Sequence, residues 1–246
     1  MEKSYSVVTG ASSGIGAAIS TAMAKNNQNV IMIARRTDNL ITLKNKLNNL
    51  YPDVNIVIVT QDLSKIDELE NLYNRLNDSY KLDTWINNAG FDKAGEFDNL
   101  DIKTVTSMIR TDSEAVAVLS NLFVHDHKDE KTKLLNIGSL VGYTLWPGDV
   151  LYSSAKHFVT ALTEGLSREM QTQNSRIQVK LLSPRQTRTD FIQLATGKPY
   201  DFDNEPAGFN TSDEMASFAM KLLNSDSTVG FVNDKFKLEL LDRKMQ

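Results

Sequence analysis

Residues 6–16, with the sequence SVVTGASSGIG, join a short apolar run to a glycine-rich turn, and a helical pattern follows over residues 17–25. Glycines let the backbone come close to a pyrophosphate, and the free N–H groups in the first turn of a helix point at it. The serine hydroxyls of the turn add further donors. A flexible strand-to-helix connection without a ligand is the alternative interpretation. The residues expected to line this turn are Gly10, Ser12, Ser13, Gly14, Ile15 and Gly16.

Strand-like and helical patterns alternate at least six times along the chain. Such alternation predicts a Rossmann-like α/β fold, a doubly wound parallel sheet of about seven strands with helices on both faces. Residues 185–210 mix proline, glycine and aromatic residues without a clear period, which suggests a mobile substrate flap. Because no repeat or linker is present, residues 1–246 are interpreted as one domain. The predicted strands are residues 6–8, 29–34, 54–60, 82–86, 133–137, 178–182 and 236–240.

The composition excludes several classes of function. A formal net charge of −4 gives no electrostatic reason to expect nucleic acid or an anionic membrane as a partner. The absence of cysteine excludes disulfides, thiolate catalysis and thiolate metal sites. No apolar run approaches the ~20 residues that span a bilayer. Residues 1–10 enter a strand-like run without the apolar core of a signal peptide, so we expect a cytoplasmic protein.

Two arginines follow the second predicted strand, and they bear on the choice of cofactor. Arg35 and Arg36 stand where a dinucleotide fold meets the adenosine ribose, and the first acid after them is Asp38. At this point an acid selects the free 2′-hydroxyl of NAD, whereas an arginine accommodates a 2′-phosphate. The sequence therefore favours NADP over NAD. The alternative is that both arginines are solvated loop residues.

Polar residues also follow the third and fourth predicted strands. Asp62 is suited to accept a hydrogen bond from an adenine amino group, or to cap the next helix. Asn87-Asn88-Ala89-Gly90 combines two amides with two small residues, which suits a tight turn against a ligand or a neighbouring strand.

Two helical segments, residues 116–123 and 158–166, carry wide apolar faces. Their width exceeds what packing on a sheet requires, which suggests a homodimer or homotetramer. His125 and His127 follow the first of these faces in a charge-rich stretch. No third ligand is apparent, so we interpret them as helix-end residues rather than metal ligands.

A candidate proton-transfer site lies in residues 139–156. Tyr152 and Lys156 are four residues apart, a spacing that places both side chains on one face of a helix. An ammonium group beside a phenol favours the phenolate, so the tyrosine should exchange a proton nearer neutral pH than its free pKa of about 10. Ser139 follows the fifth predicted strand and is placed to meet them.

Together these motifs resemble those of the short-chain dehydrogenase/reductase family in its single-domain form. They follow the family's order over about the first four-fifths of the chain. The matching residues are Thr9-Gly10-x-x-x-Gly14-Ile15-Gly16, Asn87-Asn88-Ala89-Gly90, Ser139, Tyr152-x-x-x-Lys156, and Pro184 with Thr189.

The resemblance implies reversible hydride transfer between NAD(P) and an alcohol/carbonyl pair. Tyr152 would exchange the hydroxyl proton, Lys156 would bind the nicotinamide ribose and lower the tyrosine's pKa, and Ser139 would hold the substrate oxygen. The remaining implied cofactor contacts are Asp62 and Leu63 at the adenine, Asn88, Ala89 and Gly90 along the cofactor, and Pro184 and Thr189 at the nicotinamide amide.

Three departures from the family pattern stand out. Asp112 aligns with an asparagine that usually holds a water in a proton relay; an ionised aspartate cannot donate, and its charge offsets that of Lys156. Arg185 replaces the glycine that usually follows Pro184, which requires either a distorted loop or a guanidinium that reaches a substrate or cofactor group. The chain also lacks the family's common Asp-Gly-Gly ending.

The expected substrate is a mid-sized apolar ketone or aldehyde, or the matching alcohol, because the candidate pocket residues are apolar and aromatic. Packing on the surface or on a second subunit is the competing interpretation of Leu145 and Trp146. A protein that binds NADP(H) as a sensor or regulator, with weak or no turnover, is the rival function. The candidate pocket residues are Phe91, Leu140, Val141, Tyr143, Leu145, Trp146 and Phe191.

Overall fold

An eight-stranded sheet runs through the computed structural model, which describes residues 3–205 and 208–243. Residues 1–2 and 244–246 of the predicted domain, and residues 206–207 of the predicted flap, lie outside the described residues. The strands of the eight-stranded sheet and of a separate two-stranded sheet are β1 (Tyr5–Thr9), β2 (Asn29–Ala34), β3 (Ile56–Thr60), β4 (Leu82–Asn87), β5 (Lys133–Ile137), β6 (Gln178–Ser183), β7 (Thr187–Arg188), β8 (Asn210–Thr211), β9 (Val229–Val232) and β10 (Leu238–Leu241). The two-stranded sheet pairs β7 with β8.

Helices connect most of these strands. They are α1 (Gly14–Lys25), α2 (Thr37–Leu50), α3 (Leu69–Ser79), α4 (Ile102–Ile109), α5 (Ala115–His127), α6 (Val150–Thr172), α7 (Phe191–Thr196) and α8 (Ser212–Leu223). A π-helical turn, Arg110–Glu114, joins α4 to α5.

The sheet has the strand order β10-β9-β6-β5-β4-β1-β2-β3, and every pairing in it is parallel except that of β9 with β10. The chain builds outward from β1 to β3 on one side and from β4 to β6 on the other. The order therefore reverses between β1 and β4. In doubly wound folds, the crevice outside the carboxyl ends of the strands at this reversal is where ligands bind.

Two apolar layers hold the helices on opposite faces of the sheet. Ile19 of α1, Leu40 of α2 and Leu222 of α8 lie in the layer on one face. Phe123 of α5 and Met170 of α6 lie in the layer on the other face. Because β2 is buried along its whole length, its continuous apolar run NVIMIA is the pattern typical of a central parallel strand. The predicted doubly wound α/β fold is confirmed.

The main sheet has one more strand than predicted. The sequence analysis missed β9, a four-residue strand that contains a glycine and gives too short a signal to separate from a loop. The predicted last strand, residues 236–240, begins later, at Leu238, because Phe236 has φ 57° in the turn that precedes it. Within the predicted flap, the structure places β7, α7 and the start of β8.

The apolar face of α5 is used inside the chain. Phe123 lies in the main core, and Val116 packs with Val159 of α6 and Leu181 of β6. Part of the predicted face therefore packs within the chain, and Val118 and Leu122 on the same helix are only partly buried. On α6, Phe158 is 42% exposed. Assembly into a homodimer or homotetramer stays a prediction. Within the described ranges, every helix falls short of the length and apolarity needed to cross a membrane.

Candidate active site

The glycine-rich turn between β1 and α1 is tight. Gly10 and Gly14 have φ values of 66° and 55°, a region that favours glycine. A Cβ atom on Gly16 would lie 2.5 Å from both the Gly10 carbonyl oxygen and the Asn88 Nδ2 atom, so no side chain fits there. This leaves bare backbone at the start of α1, which is the geometry that a pyrophosphate requires.

Hydrogen bonds to Thr9, at the end of β1, hold Asn88 and Ala89 beside the glycine-rich turn. The backbone N–H groups of Asn88 and Ala89 donate to Thr9 Oγ1 over 2.9 and 3.0 Å. Asn88 Nδ2 donates to the Thr9 carbonyl oxygen over 2.9 Å. Because this amide holds the turn, the Asn88 side chain has a structural task in addition to its predicted place along the cofactor.

The two arginines flank the turn on different sides. Arg36 donates to the hydroxyls of Ser12 and Ser13, with its Nη2 atom 3.1 and 2.5 Å from them. The Arg35 guanidinium lies 5.9 Å from the centre of the Phe91 ring. Both arginines are exposed to solvent, and each also contacts a residue of the predicted site or its neighbour.

A cleft of about 290 Å³ lies at the carboxyl ends of β2 and β3, where an adenosine would be expected. Asp62 lines it, but its Oδ1 atom already accepts from the Ser64 N–H and hydroxyl over 3.0 and 2.9 Å, in the manner of a cap. Leu63 is buried in the core. The residues lining this cleft are Arg35, Thr60, Gln61, Asp62, Lys65 and Glu68.

Ser139, Tyr152 and Lys156 converge at the carboxyl end of β5. The Lys156 Nζ atom lies 5.5 Å from the centre of the Tyr152 ring and donates to the Ile137 carbonyl oxygen over 3.1 Å. Ser139 caps the short turn after β5, where its hydroxyl accepts from the Val141 N–H over 3.3 Å. The Phe191 ring of α7 packs against Tyr152 with their centres 5.4 Å apart.

The pKa of Tyr152 moves in the direction opposite to the one expected for a Lys-activated phenol. Burial raises the pKa of Tyr152 above its ordinary value, and the carboxylates of Asp112 and Asp92 raise it further. The Ser139 hydroxyl is close enough to oppose this rise. Burial also lowers the pKa of Lys156. Desolvation is the largest of these effects on Tyr152, so the tyrosine is held protonated near neutral pH.

Asp112 is fully buried in the π-helical turn, a feature that often marks functional sites. The Phe91 N–H donates to both carboxyl oxygens, over 3.1 and 3.2 Å. A Cβ atom on Gly90 would lie 2.7 Å from Asp112 Oδ2 and 3.5 Å from Lys156 Nζ, so the glycine makes room for both groups. Burial raises the pKa of Asp112 to about 7, and Lys156 opposes that rise.

The loop after β6 passes over the turn. Thr189 is next to Gly14, where an added Cβ atom would lie 3.2 Å from Thr189 Cγ2. The Pro184 carbonyl oxygen accepts from the Leu140 N–H over 2.8 Å, which ties this loop to the segment after Ser139. Arg185 keeps a negative φ, and its guanidinium lies 5.7 Å from the centre of the Phe236 ring. The loop is therefore not distorted at Arg185, and packing on Phe236 occupies the side chain.

The proposed substrate side is partly as expected. Leu145 and Trp146 are 77% and 52% exposed, and they line an open groove of about 590 Å³ that also includes Val150 at the start of α6. Tyr143 is not among the residues that line this groove. Its hydroxyl donates to Glu164 Oε1 over 2.8 Å, and its ring packs on Phe231.

His125 and His127 lie in the last turn of α5, as predicted for helix-end residues. His127 Nε2 is 2.9 Å from Asn77 Oδ1, and its Nδ1 atom is 3.3 Å from Glu130 Oε2. These contacts tie the end of α5 to the end of α3.

Three residues at the site were missed by the sequence analysis. Lys65 joins Arg35 at the adenosine cleft, and the carboxylates of Asp92 and Asp149 both act on Tyr152. Asp92 lies two residues after the Asn87–Gly90 motif, and this position is the local signal that pointed to it. The other two lie in loops whose approach to the site depends on the tertiary fold.

The donors and spaces of this site fit a nicotinamide dinucleotide. The bare turn at Gly10–Gly16 suits a pyrophosphate. Arg35 and Lys65, which line the cleft at the carboxyl ends of β2 and β3, suit an adenosine phosphate.

Comparisons with known proteins agree with this geometry. The family model described as short chain dehydrogenase matches residues 5–198. A farnesol dehydrogenase from Aedes aegypti is 31% identical over 193 residues, which cover 76% of this chain and 78% of that protein. An oxidoreductase from Staphylococcus saprophyticus is 29% identical over 194 residues, which cover 78% and 77% respectively.

The fold agreement extends further along the chain. The short-chain dehydrogenase from Sphingobium yanoikuyae, solved in complex with NADPH, superposes with a TM-score of 0.82 at 27% identity. The superposition covers 93% of this chain and 87% of that protein. The chain therefore belongs to the short-chain dehydrogenase/reductase family, whose members are oxidoreductases that use a nicotinamide cofactor.

Proposed function

We propose that this protein transfers a hydride between NADP(H) and an alcohol/carbonyl pair, with Tyr152 as the general acid/base. The observation that carries the proposal is the convergence of Lys156 and Ser139 on Tyr152 beside the glycine turn. The Lys156 Nζ atom is 5.5 Å from the phenol ring, and the Ser139 hydroxyl acts directly on the pKa of the phenol.

Tyr152, Ser139 and Lys156 have different roles in the proposed reaction. Because burial keeps Tyr152 protonated, its O–H is poised to donate to a carbonyl oxygen as negative charge develops there. Ser139 holds that oxygen with a second hydrogen bond. Lys156, anchored on Ile137 at the end of β5, holds the nicotinamide ribose. The bound nicotinamide supplies or accepts the hydride.

Replacing the phenolic hydroxyl tests this role. Tyr152→Phe should lower kcat for carbonyl reduction by about 10²- to 10⁴-fold, the usual range for a general acid, with the Kd for NADPH unchanged. Tyr51→Phe, at the end of α2 away from the site, is the matched control. Full turnover in Tyr152→Phe would refute the proposal.

A sensor or regulator that binds NADP(H) with little turnover is the second candidate function. The buried carboxyl of Asp112 favours it, because its charge raises the pKa of Tyr152 and so lowers the fraction of the tyrosine present as phenolate. Fluorescence titration with NADPH beside a turnover screen on a broad carbonyl panel separates the two functions. Binding without turnover on every carbonyl would support the sensor. A chain that binds no NADPH would be a structural protein.

We further propose that NADP is preferred over NAD. Arg35 and Lys65 line the adenosine cleft, and Arg36 lies on the serine hydroxyls of the turn. The relative from Sphingobium yanoikuyae was solved with NADPH, which is consistent with this preference. A 2′-phosphate here would meet cationic groups from two strand ends.

The cofactor preference predicts a lower Kd for NADPH than for NADH, measured by fluorescence titration. In Arg35→Ala the ratio of the Kd for NADH to the Kd for NADPH should fall by about tenfold or more, since a charge-assisted hydrogen bond contributes about 1.5–3 kcal/mol. Arg75→Ala, an exposed position on α3, is the control for the loss of one positive charge. Equal affinities of the unmodified protein for the two cofactors would contradict the preference.

The proposed substrate is a mid-sized apolar ketone or aldehyde, or the matching alcohol. Phe191 covers the Tyr152 ring, and the groove beyond it is lined by exposed apolar side chains such as Leu145 and Trp146. Such a surface favours an apolar frame over a sugar.

A further inference from the structure

Two carboxylates outside the proposed catalytic set face Tyr152. Asp92 follows the Asn87–Gly90 segment, and Asp149 directly precedes α6, one helical turn before Tyr152. Both carboxylates raise the pKa of Tyr152, and Asp149 also raises that of Asp92. The two acids therefore interact electrostatically with each other and with the phenol.

Neither acid has a cationic partner. In residues 3–205 and 208–243, neither Asp92 nor Asp149 takes part in an ion pair. The Asp92 Oδ1 atom is buried and accepts no hydrogen bond within the described protein. Lys156 and the exposed Lys93 stabilise its charge less than burial opposes it. An unpartnered buried oxygen is unfavourable unless a ligand supplies the missing donor.

Backbone hydrogen bonds place the two acids on one wall of the site. The Gly95 N–H donates to the Gly148 carbonyl oxygen over 2.8 Å, which joins the loop of Asp92 to the loop of Asp149. Gly148 and Val150, the residues on either side of Asp149, line the open groove. The same groove carries Glu96 and Asp98 among its apolar residues. The groove next to Asp149 is therefore apolar and acidic.

Resting on the proposed function, we propose that the preferred substrate is an apolar ketone or alcohol that carries a protonated amine. Asp92 and Asp149 bind its ammonium group while Tyr152 and Ser139 bind its oxygen. An ammonium supplies the donor that Asp92 Oδ1 lacks and neutralises two adjacent negative charges. A substrate carboxylate would be repelled by the same wall, which makes charge the basis of selection.

The ionisation of Asp92 is compatible with this role. Burial and Asp149 raise its pKa to about 6, which leaves it largely charged near neutral pH. Burial also raises the pKa of Asp149. A bound cation would stabilise both charged forms.

Matched aryl ketones test the proposal near neutral pH with NADPH. The set is para-(dimethylaminomethyl)acetophenone, its neutral isostere para-isobutylacetophenone, the anion (para-acetylphenyl)acetate, and the three meta isomers. We expect kcat/KM for the amine to exceed that of its isostere by about tenfold or more in at least one series, and the anion to be the poorest substrate. Equal kcat/KM for amine and isostere in both series would overturn the proposal.

Charge-neutral variants locate the effect. In Asp92→Asn/Asp149→Asn the amine-to-isostere ratio of kcat/KM should fall to about 1, because the ratio cancels any effect that the loss of the two charges has on Tyr152. Asp53→Asn, on the loop before β3, should keep the full ratio. A ratio that survives in the double variant would overturn the assignment of these residues.

A binding measurement can test the ammonium site even if the proposed hydride transfer is not observed. If no ketone is reduced, the neutral one included, the proposed hydride transfer fails. Calorimetric titration of the NADPH-loaded protein with the amine and with its isostere then still measures the preference. Tighter binding of the amine, lost in the double variant, would support the ammonium site, and equal binding would refute it.

Discussion

Asp112 combines full burial with a single backbone donor, the Phe91 N–H, which its two oxygens share. With a pKa raised to about 7, this carboxyl gains and loses its charge close to neutral pH. Its negative form raises the pKa of Tyr152. Ionisation of Asp112 therefore works against the phenolate that alcohol oxidation requires, but leaves the phenol that carbonyl reduction requires intact.

Asp112→Asn should move the rising limb of the pH–rate profile for alcohol oxidation to lower pH. The variant removes a charge that raises the pKa of Tyr152, so the phenolate forms at lower pH. Each pKa unit corresponds to about a tenfold gain in kcat/KM on that limb. The measurement is kcat/KM across pH for one alcohol. Superimposable profiles and an unchanged kcat would show that Asp112 has no part in the proton exchange, and Asp53→Asn controls for the loss of a surface charge.

At the scale of elements, α1 and α6 serve the site in different ways. The start of α1 depends on close backbone contact, because Gly16 leaves no room for a Cβ atom. α6 extends for 23 residues and presents Tyr152 and Lys156 from its first two turns. Farther along the same helix, Gly165 is exposed and has no heavy atom within 4 Å of an added Cβ atom. Gly16 is required because a larger residue would clash with its neighbours, whereas Gly165 has room for a side chain and only lowers the stability of its helix.

Alanine at these two glycines should have opposite effects. Gly16→Ala forces the turn away from Gly10 and Asn88, so we expect a loss of about 1–3 kcal/mol of unfolding free energy and weaker NADPH binding. Gly165→Ala should gain about 0.5–1 kcal/mol, because alanine loses less backbone entropy in a helix. Urea unfolding and NADPH titration measure both. Equal stability of the two variants would contradict the tight turn.

At the scale of the whole molecule, a buried lysine ties the sheet to the segment after α8. Lys180 of β6 is 1% exposed, and its Nζ atom donates to the Ser225 and Ser227 carbonyl oxygens, each over 2.8 Å. Burial and the nearby Lys133 lower the pKa of Lys180 from 10.5 to about 8. Folding is therefore coupled to the release of a proton from this group.

The coupling predicts a pH dependence of stability. Between pH 8 and 10.5 the unfolded chain binds this proton and the folded protein does not, so the contribution of Lys180 to stability rises with pH across that window. It is lost as pH falls through about 8. Lys180→Met should abolish this rise and, at neutral pH, cost about 1–3 kcal/mol because two carbonyls lose their donor.

Urea unfolding at several pH values, with the unmodified protein beside Lys180→Met, measures the slope. Lys133→Met is the control: it removes a charge that lowers the pKa of Lys180 and should narrow the window without closing it. Parallel slopes for the unmodified protein and Lys180→Met would contradict the coupling.

Local patterns were sufficient to predict much of this protein. The spacing of Gly10, Gly14 and Gly16 predicted a strand–turn–helix unit, which the structure has as β1, the turn and α1. The four-residue spacing of Tyr152 and Lys156 placed both on one helix face. These features are readable because they depend on backbone preferences and on helical or strand periods that are short in sequence.

The tertiary structure alone decided the charges around Tyr152 and the place of β9. Asp92 follows β4 and Asp149 lies in the segment after β5. Their loops are joined because β4 and β5 are neighbours in the sheet and because the Gly95 N–H donates to the Gly148 carbonyl oxygen. The direction of the Tyr152 pKa also depends on burial, which a spacing of four residues does not convey. The sequence by itself determined the fold, the dinucleotide turn and the candidate reacting pair. Only the folded chain decided which charges surround that pair, since desolvation and long-range approach arise when distant segments pack together.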